Sequence, residues 1–583
     1  MSSTDAPAPF AFDLALERMA RGWRGSLLAA LVVVVSALPA LIALPPLDRD
    51  ESRFAEASAQ MLESGDFVNI RFQGEARDKK PVGIHWMQAA SVKLLSSVEK
   101  RQIWAYRIPS LLGAMLAAAA CAWGAQAWFG ARGGLIAGGV LGASLILSSE
   151  AFIGKTDAVL CGAVTLSMAA LGRVYQAART TGPPGMAAPG WRTLLLFWLG
   201  MALSIIDKGP IGPMVAALAL LALWGLDRDI RWAGRLGWVW GVALVLLIVG
   251  PWAFAITVTT DGAFWGKAVG GDLAPKLAGG HESHGAWPGT HAILAFLLLF
   301  PASLILPAAL TAGWLRRREA GVRFALAWLV PAWTLFELTP TKLVHYTLPT
   351  YGALAFLAAA VVTAPQVAGL GPRARWGGAV LSVLAGSLLA TVAILAAQKY
   401  AGGASITGTA LAAAVLCVAA GLAGAVFIQR GEASLALVSA GIIGIGAHIA
   451  LSAGVAPHLD ALWVSKRAQA LLTTQNLDPR NGVTVGPVAA AGYAEPSLVF
   501  TLGAATELDS AEDAAASVAE GQPALVEARQ DKAFRAALAL RHTPAQPVGQ
   551  ISGFNYSIGK PVTLTLWKSL VPPAREPKEE DAP

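Results

Sequence analysis

The sequence is poor in charge and in cysteine. Asp, Glu, Lys and Arg make up 14% of its 583 residues, where a soluble chain of that length carries about 25%. That deficit excludes an ordinary soluble globular protein. The three cysteines, Cys121, Cys161 and Cys417, all fall inside apolar runs. They read as small core residues, which excludes a disulfide framework and a thiolate metal centre. No repeat of fixed period is present, which excludes a solenoid. The net charge of +7 is spread over short loops, so it marks no nucleic-acid surface.

Apolar residues make up 55% of the chain. They come in runs of about 20 rather than as alternating ten-residue strands, the pattern of a polytopic α-helical membrane protein. About 13 spans are expected, near 26–45, 107–128, 134–152, 158–175, 192–207, 210–226, 236–259, 291–310, 322–339, 346–365, 377–397, 407–429 and 433–456. The first run follows Arg18, Arg21 and Arg24; it is longer than a signal-peptide core and has no small-residue cleavage site after it, so it reads as an uncleaved first span. Arg132, Arg173, Arg179, Arg192, Arg228, Arg231, Arg235, Arg316, Arg317, Arg318, Arg323, Arg373, Arg375 and Arg430 fall in alternate loops. Positive loops stay inside, so the N-terminus is expected in the cytoplasm and the C-terminus outside.

Three outer regions exceed simple connectors: 46–106, 260–290 and the tail from 457. The first carries two expected interfacial helices, at 51–63 and 82–95. With them, 1–456 forms the membrane domain. The tail changes composition. "GVTVGPV", "SLVFTLG" and "PVTLTLW" read as strands, and "DALWVSKRAQALL" and "SAEDAAASVAE" as helices, giving a small outer α/β domain over 457–570. Residues 571–583 are polar and expected to be disordered.

A charge at the centre of a spanning helix costs roughly 2.5–3.5 kcal/mol, so each one near the bilayer needs a reason. On the expected outer side stand Asp48, Asp50, Glu51, Arg53, Asp78, Lys79, Lys80, His85, Lys155, Asp157, Asp207, Lys208, His281, Glu282, His284, Lys342 and His345. Each has a plain reading. Asp50, Glu51 and Asp157 suit helix N-termini, Lys208 and Lys342 suit snorkelling to the interface, and Tyr346 suits an aromatic belt. His281 and His284 would share one helix face and could hold a metal. None of these readings explains why the charges collect on one side at the ends of different spans. A shared site would, and its mixed signs suit an anionic substrate, such as a phosphate at headgroup level, with acid–base or metal chemistry.

The loop "DRDESRFAEASAQMLESGDFVNIRFQGEARDKKPVGIHW" resembles the opening outer loop of the superfamily that unites the bacterial aminoarabinose lipid A transferases with the protein O-mannosyltransferases, the GT-C glycosyltransferases of family 39 type. Asp50, Glu51, Arg53, Glu56, Gly65, Asp66, Lys80, Pro81 and Trp86 match its pattern. "SSEAFIGKTDAVL" matches at Asp157, "DKGPIG" at Lys208, and "TKLVHYTLPTY" at Lys342, Tyr346 and Pro349. Three positions depart from it. The acidic residue before the loop lysine stands one place early, as Asp78, with Lys79 in its position; Val82 replaces a second proline; and "SLVF" ends in Thr501.

The resemblance implies transfer of a sugar from a polyprenyl-phosphate donor to an acceptor on the outer face of a bacterial inner membrane. The acceptor would be lipid A or a related envelope glycan, or, in the mannosyltransferase branch, a protein. It implies Asp50 and Asp157 as catalytic carboxylates. Lys80, Lys208, Lys342 and Arg53 would bind the donor phosphate, with Glu51, Glu56, Tyr346 and His345 in support. Asp78, His281 and His284 would be the candidate ligands of a divalent metal ion. No dinucleotide-type glycine loop is present, against a sugar-nucleotide donor. A transporter or flippase would instead place charge at mid-span and break helices in paired halves.

Overall fold

In a bilayer a helix satisfies its own backbone hydrogen bonds within one segment, so uncharged runs of Ala, Leu, Val and Gly fold as helices. The computed structural model describes residues 11–179, 190–275, 285–364, 370–401, 404–481 and 486–570. Among the described residues, eight helices are long and apolar enough to cross a membrane, including α2 (Arg24–Ala43), α5 (Ile103–Gly142), α7 (Thr156–Arg179) and α10 (Trp238–Thr259), which follow the short α1 (Ala11–Met19). The α8 helix (Trp191–Lys208) and three shorter apolar segments, including α9 (Ile211–Asp227), complete the bundle. Together they make a multi-pass membrane protein.

Three expected spans are redistributed. The second and third share the 40-residue α5, which turns back at Gly130, where φ is 73° and ψ is 179°. The segment 291–310 is broken into Thr290–Leu298, a 3₁₀ turn at Ala302–Ile305 and a helix at Leu306–Leu315. Pro301 and Pro307 have no amide hydrogen with which to continue a helix.

Of the eight membrane-length helices, α7 is the most deeply buried. Of its most apolar stretch, 89% is buried, against 17% for α10 at the lipid-facing edge. Glycines let its neighbour come very close. A Cβ on Gly113 of α5 would stand 2.6 Å from Val159 Cα, and one on Gly162 of α7 would stand 2.4 Å from the Gly113 carbonyl oxygen. The two helices therefore cross backbone against backbone.

The segment 46–106 forms the two expected helices. In α3 (Asp50–Ser64), Asp50 and Glu51 fill the first turn and Gly65 ends the helix in the left-handed region at φ 72°, as the helix dipole and a C-terminal glycine favour. A hairpin of β1 (Arg71–Phe72) and β2 (Glu75–Ala76) leads on to α4 (Gly83–Leu95). A Cβ on Gly83 would lie 2.6 Å from the Ile206 carbonyl oxygen, so the start of α4 is pressed on the end of α8. The short α6 (Leu145–Ala151) precedes α7.

The C-terminal domain is a five-stranded mixed sheet in the order β4 (Glu507–Asp509), β3 (Ala489–Ala491), β5 (Ala524–Glu527), β7 (Lys560–Ser569), β6 (Ala545–Asn555). The β3 strand runs parallel to β4 and β5; β7 runs antiparallel to β5 and β6. Leu525 packs in one core with Val464, Leu472 and Leu498, while Val526 packs in another with Ala514 and Phe534. Helices thus cover both faces. The expected helices appear at Val464–Thr474 and Ala511–Ala519.

Two strand expectations need correcting. "SLVFTLG" is the helix Pro496–Leu502, not a strand. Every residue in it is buried, so the apolar run carried no periodicity to separate helix from strand. Pro496 starts the helix, and Phe500 packs edge-on against Tyr106 of α5 at 5.2 Å. The strand expected in "GVTVGPV" begins at Ala489, after Pro487; residues 482–485 lie outside the described residues.

Candidate active site

Six pieces of chain converge where α7 begins and α8 ends. They are the start of α3, the loop before α4, the end of α6, the turn at 152–155, the α7/α8 pair itself and the loop 339–347. Asp157 lies in the first turn of α7 and Lys208 in the last turn of α8, each where the helix dipole favours its sign. The two side chains form a direct ion pair. Lys155 Nζ is 3.4 Å from Asp157 Oδ2, 3.1 Å from Glu150 Oε1 and 3.1 Å from His345 Nδ1. His345 Nε2 is 3.5 Å from the same Asp157 oxygen. Burial holds the His345 imidazole well below its usual range, so it is neutral and accepts from Lys155 at Nδ1.

Asp50 faces this group from α3. Burial pushes its carboxyl up, but Lys80, Arg77 and Lys155 outweigh that and hold it at about 2. It is therefore ionised at any physiological pH. Arg77 Nη2 is 3.8 Å from Asp50 Oδ1. Phe54, one turn along α3, is the platform for both nearby cations: Arg77 lies 4.5 Å and Lys80 5.1 Å from its ring centroid, at cation–π range. Burial and Lys208 lower the Lys80 ammonium to about 8, against the pull of Asp50 and Asp157. Asp50 keeps 48% of its side-chain surface open, whereas Asp157 keeps 5% and Glu150 8%. It is the accessible carboxylate in a ring of buried charge.

The structure thus brings together Asp50, Lys80, Asp157, Lys208 and His345, with Tyr346 under Lys208 at 5.9 Å. Other expected residues stand aside. Arg53 is half-buried along α3, and it is Arg77 that faces Asp50. Lys342 donates to the Thr339 carbonyl at 2.6 Å. Glu51 is a buried anchor: it pairs with Arg107 at 2.8 Å through both oxygens and accepts from the amides of Leu47 and Gly154. Glu56 pairs with Arg101, and burial raises its carboxyl to about 7. Both carboxylates brace the loop rather than face the cleft.

The expected metal ligands fare differently. Asp78 Oδ2 accepts from Lys267 Nζ at 2.9 Å, so that carboxylate is neutralised by an ammonium. His281 and His284, and Glu282 between them, lie outside the described residues. Among the described residues a different trio, Glu150, Asp157 and His345, has donor atoms within 4.8 Å of one another. Arg77 and Glu150 were not singled out from the sequence, and Lys155 and Asp207 only as members of the outer charge set. A carboxylate closing an apolar run, as in "SSEAF", was the available signal for Glu150. The Asp207 carboxylate is fully buried beside Lys208 and has no hydrogen-bond partner among the described residues.

A clasp to the C-terminal domain fixes the start of α3. Arg49 holds a left-handed φ of 62°, costly for a side chain with a Cβ. Its guanidinium donates to the Ser557 carbonyl at 2.6 Å, and the Asp48 amide donates to the Tyr556 hydroxyl at 2.7 Å. Both partners belong to the C-terminal domain.

The chain is similar to known proteins in sequence over part of its length and in overall fold. The family described as "Dolichyl-phosphate-mannose-protein mannosyltransferase" matches residues 79–254. An undecaprenyl phosphate-alpha-4-amino-4-deoxy-L-arabinose arabinosyl transferase of Aeromonas salmonicida is 29% identical over 328 residues, 55% of this chain and 58% of that protein. The Pseudomonas aeruginosa protein of the same name is 28% identical over 313 residues, 53% of this chain and 54% of that one. The matched region thus spans somewhat over half the length of these relatives. The crystal structure of ArnT from Cupriavidus metallidurans bound to undecaprenyl phosphate superposes with a TM-score of 0.70 at 20% identity, covering 92% of this chain and 97% of that one. The chain has that structure's fold, C-terminal domain included.

Proposed function

From its place in the GT-C glycosyltransferase superfamily, we propose that this protein transfers 4-amino-4-deoxy-L-arabinose from an undecaprenyl-phosphate carrier to a phosphate of lipid A. The observation that carries the reading is the open Asp50 carboxylate, set against Lys80 and Arg77 on the Phe54 face and opposite the Asp157–Lys208 pair. In the reaction the bond between the sugar C1 and the carrier phosphate oxygen breaks, and its electron pair leaves with the phosphate. An acceptor oxygen then bonds to C1. Lys80, Arg77 and Lys208 neutralise the charge that grows on the leaving phosphate, the preorganised stabilisation that contributes most in such sites. Asp50 stabilises the positive charge developing at C1 or holds the sugar amine.

The ionisation of Asp50 bears on the acceptor. A general base works best with a pKa near the working pH, and a carboxylate held at about 2 is a weak one. It suits an acceptor that is already ionised, such as a phosphate, better than a serine or threonine hydroxyl. The site opens to the periplasm, the N-terminus lies in the cytoplasm and the C-terminal domain is periplasmic in an inner-membrane protein. Arginines at the other end of the bundle, with Arg179 and Arg323 paired to Asp227, support that orientation under the positive-inside rule.

The test uses purified protein in lipid, undecaprenyl-phospho-aminoarabinose as donor, and lipid A or an acceptor protein in parallel. Mass spectrometry should find the sugar on lipid A, and Asp50→Asn should abolish the transfer. Modification of the protein acceptor alone would assign the chain to the mannosyltransferase type of reaction. Full turnover by Asp50→Asn would sink the role given to that carboxylate.

A further inference from the structure

Glu150, Asp157 and His345 offer two carboxylate oxygens and an imidazole nitrogen, the donor types that hold a divalent ion. Lys155 Nζ sits among them, 3.1 Å from Glu150 Oε1, 3.4 Å from Asp157 Oδ2 and 3.1 Å from His345 Nδ1. An ammonium has three N–H donors and no acceptor, which matches three acceptors. Its lengths are those of hydrogen bonds and ion pairs; a zinc ion would need about 2.0–2.2 Å to the same donors. A divalent ion drawn into the trio would meet the ammonium at the same point. Lys155 keeps only 11% of its side-chain surface open, so it is packed into place. The Asp78 carboxylate shows the same device, with Lys267 Nζ at 2.9 Å. There the lysine is exposed rather than packed, and, among the described residues, the carboxylate stands alone; it is at the trio that a buried lysine holds the position a metal would take.

We propose that the Lys155 ammonium is a built-in substitute for a divalent cation, and that it makes transfer at this site independent of metal. This rests on the transferase reading above. Lys155 is a positioning residue: it neutralises Glu150 and one oxygen of Asp157, so that the other oxygen is left to Lys208. Lys208 is thereby aimed at the donor phosphate. A single positive charge suffices because Arg77 and Lys80 supply the rest from the opposite side of the cleft.

Removing the ammonium should turn the trio into a metal site. In Lys155→Ala, cobalt(II) titrated into the purified full-length protein should bind with visible d–d absorption, and a second change, Glu150→Gln, should weaken that binding at least tenfold. Wild-type protein should show no Glu150-dependent cobalt spectrum, and chelator treatment should leave its rate within twofold. Transfer by Lys155→Ala should fall by about 10²-fold and rise again in part with added zinc or manganese. Lys155→Met keeps the shape without the charge; it should lose transfer and, with its side chain filling the space, bind no cobalt. The proposal is overturned if chelation stops wild-type transfer and a metal restores it, if Lys155→Ala binds no more cobalt than wild type, or if Lys155→Met keeps the wild-type rate. The cobalt spectra decide the inference even if no lipid-linked sugar is transferred, an outcome that would refute the transferase reading instead.

Discussion

Replacing Arg107 by methionine removes five hydrogen bonds from the protein interior at once. Two go to Glu51, and one each to the carbonyls of Leu41, Leu44 and Pro45. Neither charged side chain has measurable surface, so no water is at hand to replace the guanidinium. Glu51 would stay as a buried carboxylate supported only by the amides of Leu47 and Gly154. Breaking such a buried pair from one side costs about 3–5 kcal/mol. With an unfolding entropy of roughly 2.1 cal/mol/K per residue, that cost lowers the melting temperature of a chain this long by ~3 °C. Differential scanning fluorimetry in detergent resolves such a shift. Glu51→Gln added to Arg107→Met removes the stranded charge while keeping an acceptor for one of the two amides, and should recover about half of the loss. A single variant that melts within half a degree of wild type would refute the reasoning. So would a double variant no better than the single one, since the penalty would then not come from the buried charge.

Lys80→Ala should lower kcat/KM for the lipid-linked donor by about 10²–10³-fold, with partial recovery in Lys80→Arg, as steady-state kinetics would show. Because Lys80 is held at about 8, it is protonated below that pH, and kcat/KM should fall as pH rises through about 8; a flat profile to pH 10 would remove it from phosphate binding. Gly113→Val should separate α5 from α7 and displace Asp157, lowering transfer and stability together; a crystal structure with an unshifted α7 would contradict this. Burial raises Asp48, beside Glu495 at the clasp, to about 7. Folding therefore favours its protonated form, and the stabilisation is complete below its unfolded value of 3.8 and lost as pH rises through 7. The melting temperature of the C-terminal domain should then be higher at pH 5.5 than at pH 8, and Asp48→Asn should flatten that difference.

The apolar runs located most of the helices to within a few residues, since a bilayer leaves a long uncharged segment little alternative. In α3, the acidic first turn and Gly65 marked both ends. That Asp50, Lys80, Asp157 and Lys208 meet could be inferred from their common position at the ends of different spans. Which partner each takes could not. Arg53 and Arg77 are equally arginine in one dimension, and only the hairpin of β1 and β2 carries Arg77 back over Phe54. Glu51 matched a family position next to Asp50, yet its side chain turns the other way, toward Arg107 of α5. Helix 496–502 was misread because full burial erases the alternation that distinguishes strand from helix.

The clasp on Arg49 also sets a schedule. Asp50 is among the first sixty residues made, His345 comes nearly three hundred residues later, and the partners of Asp48 and Arg49 come later still, at Tyr556 and Ser557. A nascent chain that has already threaded its early helices still lacks the imidazole on Lys155 and the two contacts that hold the strained residue before α3. Competence therefore arrives with the final strands rather than growing helix by helix. Half-made copies would sit in the membrane with the group around Asp50 incomplete and the start of α3 unclasped.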